Sequence, residues 1–174
     1  MDNSAVDQPP RRHREIPLAQ IDGYPELAAL LTVWRAGMVG AIPPQRIDPL
    51  AIPRRLLPGA LLIDLVSDGA GPIGPHIRLA GTMLCDLWGA ELKGRALDEV
   101  LLPCDAAAVV ADMRVATAEI RPILVRREEV RLRDTDLDYV ALILPLADDH
   151  GRVTRLLEMS DPATLRRRRH SNAA

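Results

Sequence analysis

Apolar residues along the first third of the chain recur at helical steps: Leu27, Leu30, Leu31, Trp34 and Met38 fall three or four apart. Pro25 suits a first turn, Glu26 suits the positive end of a helix, and Gly37 and Gly40 mark a stop. These signals predict an amphipathic helix of about four turns. Five prolines between Ile42 and Pro58 then remove backbone donors too often for a regular strand, which predicts a pinned connector with one helical turn around Leu50 to Leu56. The apolar run from Ala60 to Ser67, the turn signal Asp68-Gly69-Ala70-Gly71-Pro72 and a second run from His76 to Ala80 predict a hairpin.

Helical pieces follow. Thr82 is placed to cap a short helix through Leu87 and Trp88 that ends at Gly89, and Leu97 to Leu102 reads as another. A longer helix from Asp105 to Glu119 sets Val109, Val110, Met113 and Ala116 on one side, with Asp112, Arg114 and Glu119 turned to water. The last third is strand material, Ile123 to Leu132, Tyr139 to Leu146 and Arg152 to Met159, divided by Asp-rich turns. Strands joined by tight turns are antiparallel, so the fold class is α+β: a five-stranded antiparallel sheet with helices on one face, preceded by the amphipathic N-terminal helix.

This divides the chain into a flexible arm over residues 1–20, the leading helix over 21–41, one sheet domain over 42–160 and a basic tail over 161–174. No apolar stretch approaches the ~20 residues of a membrane span and no secretory signal leads the chain, so a cytoplasmic location is expected. Cys85 and Cys104 are too few for a disulfide framework and are expected reduced and partly buried.

The net charge of −2 conceals a strong asymmetry. Residues 15–165 carry 15 basic and 22 acidic side chains, while Arg11, Arg12 and Arg14 and the cluster Arg166 to Arg169 make both ends basic. An acidic body with two Trp, two Tyr and no Phe offers neither a phosphate-binding face nor a base-stacking platform, and the arginine cluster reads as a frayed, solubilising end. A nucleic-acid-associated regulator that uses these ends remains the alternative reading.

The order of elements and several stretches resemble a bacterial PAS-like family of small proteins, the PAS_5 type, over residues 24–160. The resemblance is carried by Trp34, by Ile42-Pro43-Pro44 through Ile47-Asp48-Pro49 with Ile52 and Leu56-Leu57-Pro58, by Arg78-Leu79-Ala80-Gly81-Thr82, by Leu92-Lys93-Gly94 and by Leu144-Pro145-Leu146. It implies a signal-responsive regulatory domain with no catalytic residues to carry over. The chain departs from typical members in its few aromatic residues and its arginine tail.

The residues supply no chemistry that would make it an enzyme or a cofactor-based sensor. A flavin photosensor of this fold needs a reactive cysteine in an Asn-Cys-Arg setting, which Cys85 in Thr82-Met83-Leu84-Cys85-Asp86 does not have. None of the four histidines is placed as a haem ligand, and Asp134, Asp136 and Asp138 lack the later residues of a calcium loop. No cofactor and no metal are expected. The candidate ligand pocket comprises Leu61, Ile63, His76, Leu79, Leu84, Trp88, Val109, Met113, Leu142 and Leu144, which suits a small apolar molecule, and no polar cluster is foreseen in it. Leu27, Leu31 and Trp34 form the candidate surface for a homodimer or a signalling protein. The reading is a non-catalytic sensory module that acts through protein contacts.

Overall fold

The computed structural model describes residues 13–67 and 72–169; most of the expected arm, the turn at 68–71 and the chain end from 170 lie outside the described residues. Strand β1 spans His13–Ile16, and a short 3-10 turn over Leu18–Gly23 leads into helix α1, Pro25–Ala36. Pro25 opens the helix where a missing N–H costs nothing, and Gly37 closes it with its N–H on the Trp34 carbonyl at 3.1 Å. The proline connector holds two short 3-10 turns, Pro49–Ala51 and Leu57–Gly59. Its Pro44 carbonyl accepts from the Ala147 N–H at 3.1 Å, which pins the connector to the sheet.

Strands β2 (Ala60–Ser67) and β3 (Pro72–Ala80) form the first hairpin, followed by helices α2 (Thr82–Trp88), α3 (Leu97–Val100) and α4 (Pro103–Ala118). Thr82 is the first helical residue of α2, with Gly81 as its cap, so the hydroxyl has no capping bond. Strands β4 (Ile123–Leu132), β5 (Thr135–Ala147) and β6 (Val153–Ser160) make the meander, and β7 is Arg166–Arg169. The sheet runs β1-β4-β5-β6-β2-β3, antiparallel throughout, with β7 beside the half of β5 that β6 does not reach.

The five predicted strands run unbroken as β4-β5-β6-β2-β3, and the described residues add β1 beside β4 and β7 beside β5. Residues 13–16, expected in the arm, pair with β4, and Ile16 is buried there. The arginine cluster, expected to fray, pairs with the acidic start of β5, where Arg168 grips the Asp138 carboxylate at 2.8 and 2.9 Å. Opposite charges facing each other across two strands supply what the arginines lack in apolar surface.

Helices α2, α3 and α4 gather on one face of the sheet, and α1 closes the other. On the α1 side Leu27, Leu30, Leu31 and Trp34 pack with Leu124, Leu142, Leu144, Leu157 and Met159; on the other side Val109, Met113 and Ala116 of α4 pack with Ile123, Val125, Ala141, Ile143 and Leu156. Successive strand residues point to opposite faces, so a strand covered on both sides needs apolar residues at every position. The unbroken burial of β5 from Val140 to Ala147 is the result.

Candidate functional site

Leu142 and Leu144, expected in the pocket, lie on the α1 side of the sheet, while Ala141 and Ile143 face α4. Leu79 also turns away from the pocket. Leu62 pairs with Leu79 and Ile63 with Ile77, which leaves Arg78 as a bulge that reverses the alternation; Leu79 therefore joins the α1 side and is half exposed. His76 sits on the edge strand with Nδ1 3.2 Å from the Gly74 carbonyl oxygen, and Trp88 does not line the pocket but takes the guanidinium groups of Arg95 and Arg133 over its ring, at 5.8 and 5.1 Å from the centroid. Ile63 and Met113 are in the core beside the pocket without lining it.

Leu61, Leu84 and Val109 do line it. Between the helices and the sheet is a cavity with about 60 Å³ of space open to the centres of water-sized molecules, walled also by Ile77, Leu97, Val100 and Leu132. One water-sized sphere itself occupies roughly 10–15 Å³, so the space exceeds a packing defect.

Four polar side chains share this apolar wall: Ser160, whose hydroxyl donates to the Gly59 carbonyl oxygen at 3.2 Å, and a trio of Arg127 on β4, Tyr139 on β5 and Glu158 on β6. Arg127 is 1% exposed and Glu158 5% at their side chains, and Arg127 Nη1 donates to Glu158 Oε1 at 2.7 Å. Arg127 Nη2 donates to Asp112 Oδ2 of α4 at 3.2 Å, and Nη1 stands 3.5 Å from the Tyr139 hydroxyl. Asp112, expected to face water, turns inward because it shares a helix face with Val109, Met113 and Ala116. Arg127 Nε and Glu158 Oε2 are buried with no protein partner.

These groups are tuned by burial. Loss of water pushes the Glu158 carboxyl above its ordinary range, with Arg127 pulling the other way, and the same burial pushes the Tyr139 phenol up to about 12. Arg127 stays charged because Glu158, Tyr139 and Asp112 outweigh its own desolvation. A second cluster lies along the same strands, where Asp105 in the first turn of α4 accepts from the Arg131 N–H at 3.0 Å and stands 3.7 Å from His13 Nε2. Burial pushes Asp105 up, but His13 and the Arg131 N–H outweigh it, and its carboxyl ends below the usual range.

The family described as a PAS domain (PAS_5) matches residues 24–159. The chain belongs to the PAS domain family. Among solved structures, it is similar to one titled "Structure of an RNA-binding Light-Oxygen-Voltage Receptor", at 15% identity and a TM-score of 0.45, over 87% of this chain and 38% of that one. No functionally curated protein matches the sequence.

In this PAS domain the polar trio was missed by sequence reasoning, although a signal existed. Ile123 and Val125 place odd positions of β4 inward and Val130 and Leu132 place even ones inward, so the alternation must slip between them. Arg127 stands last on the inward odd series, before a bulge in which Glu129 takes φ +56° and donates its N–H to Asp138 Oδ1 at 2.8 Å. The expectation of no polar cluster in the pocket is thereby corrected.

The expected partner surface is corrected as well. Leu27, Leu31 and Trp34 are buried against the chain's own sheet, and Trp34 Nε1 donates to the Pro145 carbonyl oxygen at 2.8 Å. Cys85 is half-buried, whereas Cys104 is exposed at the start of α4. Among the described residues no helix is long and apolar enough to cross a membrane.

Proposed function

We propose that this PAS domain is a non-catalytic sensory module that takes up a small, mainly apolar molecule between its helices and sheet and passes the event to a protein partner. The observation that carries the reading is a buried Arg127–Glu158 pair on the wall of a mainly apolar cavity, with one polar atom of each residue unpartnered. A few convergent polar groups in an apolar hollow are the usual make-up of a small-molecule site. Glu158 and Asp112 both spend their charge on Arg127, which suits recognition better than acid–base work.

The partner is a second copy of the chain or a signalling protein in the cytoplasm, reached through a surface other than Leu27, Leu31 and Trp34. Native mass spectrometry of protein purified from the cells that make it tests both halves. A retained small molecule, or a co-purifying chain, supports the module; a bare monomer that no compound of a small-molecule library stabilises overturns it.

A further inference from the structure

We infer that the outer edge of β7 is a docking edge for an extended acidic segment of another protein, which adds to the sheet as a further strand. The inference rests on the partner half of the function proposed above and names the surface where that partner is met.

The backbone supplies the first argument. β7 runs along the part of β5 that β6 leaves uncovered, and among the described residues β5 is its only strand partner. Alternate residues of an antiparallel edge strand turn their N–H and C=O away from the sheet, so β7 offers backbone groups to a new strand. The other edges offer less. At the β3 edge the Ile77 N–H donates to the Arg95 carbonyl oxygen at 2.8 Å, and the Ile77 carbonyl oxygen accepts from the Gly94 N–H at 2.7 Å. The β1 edge carries both signs of charge, with Glu15 already held by Arg121, and so favours neither kind of strand.

Charge supplies the second argument. All four residues of β7 are exposed arginines. Among the described residues Arg168 alone of the four pairs with carboxylates, those of Asp138 and Glu129, while Arg166 reaches only the carbonyl oxygens of Ala163 and Leu165. A second β7 laid alongside would set arginine against arginine, and like charges facing across strands repel, so the edge resists its own copy and accepts a strand of opposite sign. A nucleic acid answers the charge but not the backbone, because phosphates only accept and the outward carbonyls need donors. The acidic body, 22 acidic against 15 basic side chains over residues 15–165, also repels a long polyanion. Strand addition uses both features, with main-chain bonds for affinity and side chains for specificity. Leu165, the residue before β7, lines the cavity, so the ligand site and the docking edge adjoin in the chain.

The test is titration of the full chain with a hexapeptide of alternating Glu and Val, read by the amide NMR shifts of β7. Three controls accompany it: the same peptide N-methylated at every residue, which keeps the charge and removes the backbone donors, a Lys–Val peptide of the same pattern, and oligothymidylate of similar charge. The Glu–Val peptide should shift the β7 amides and bind about tenfold or more tighter than each control, as for the loss of two or three hydrogen bonds. In Arg167→Glu with Arg169→Glu, which leaves Arg168 on Asp138, the preference should pass several-fold to the Lys–Val peptide, a reversal that loss of the strand could not produce. Equal binding of any control, or Glu–Val binding that survives the double change, overturns the inference. Shifts in β7 on concentrating the chain alone overturn it in favour of a second copy. If no peptide moves a β7 amide the inference falls, while a co-purifying chain in native mass spectrometry still upholds a partner met elsewhere.

Discussion

Arg127 and Glu158 meet at 2.7 Å across the strand that separates their own, on the face of the sheet that α4 covers. Each makes the burial of the other tolerable, and Asp112 closes the arrangement from the helix. Removing one member is therefore far worse than removing both. Arg127→Met alone should cost about 3–5 kcal/mol, and the double change Arg127→Met with Glu158→Leu much less, as for buried ion pairs replaced by apolar groups. Urea denaturation of the two variants reads the difference; equal losses would show that the pair is not coupled.

Tyr139 sets the alkaline limit. Its phenol holds the proton to about pH 12 in the folded chain against about 10 when unfolded. A raised pKa on a group that becomes an anion means that the folded state keeps a proton the unfolded state gives up. Stability should fall from pH 10 toward 12, by up to about 2 kcal/mol, and less because part of the ring meets solvent. Tyr139→Phe should lose this alkaline slope, measured by denaturation at successive pH values.

Asp105 acts at the acid end with the opposite sign. Its folded pKa lies below the unfolded value of 3.8, so its contribution is complete above that value and fades as pH falls through the folded pKa. The stability gap between the parent and Asp105→Asn should be largest near neutrality and close in acid. A gap independent of pH would remove the His13 and Arg131 contacts as its cause.

Gly81 joins β3 to α2 under the proline connector, with its N–H on the Ala60 carbonyl at 2.7 Å. A Cβ there would stand 2.3 Å from the Pro58 oxygen and 2.4 Å from that of Leu57, both rigid backbone atoms. Gly81→Ala should cost about 1–3 kcal/mol by overpacking. Gly23→Ala, with nothing within 4 Å of the added atom, should stay within about 0.5 kcal/mol.

Trp34 ties α1 to the sheet through the Pro145 carbonyl, a bond inside the core. Trp34→Phe keeps much of the packing and leaves that oxygen unpaired, which should cost about 1–3 kcal/mol in thermal or urea unfolding. The burial of Leu31 at 1% has a related consequence: Leu31→Glu should unfold the chain, so sedimentation of that variant reports folding and not association.

Local pattern determined much of this protein. The helical spacing from Leu27 to Trp34, the turn signals between strands and the Pro25 and Gly37 boundaries act within a few residues, and α1, the five predicted strands and α4 follow them closely. Pairing between distant segments decided what the pattern left open. Val140 to Leu146 is apolar at every position, so no polar residue marks which side is which, and only the cover of α1 on one face and α4 on the other assigns Leu142 and Ile143 to opposite cores. The Arg78 bulge likewise turns Leu79 out by one residue of register. Arg127, Tyr139 and Glu158 each sit among ordinary strand residues, and their meeting depends on three strands aligned side by side beneath Asp112. The charge of each was plain in the sequence; the water taken from it, and hence its chemistry, came with the tertiary structure.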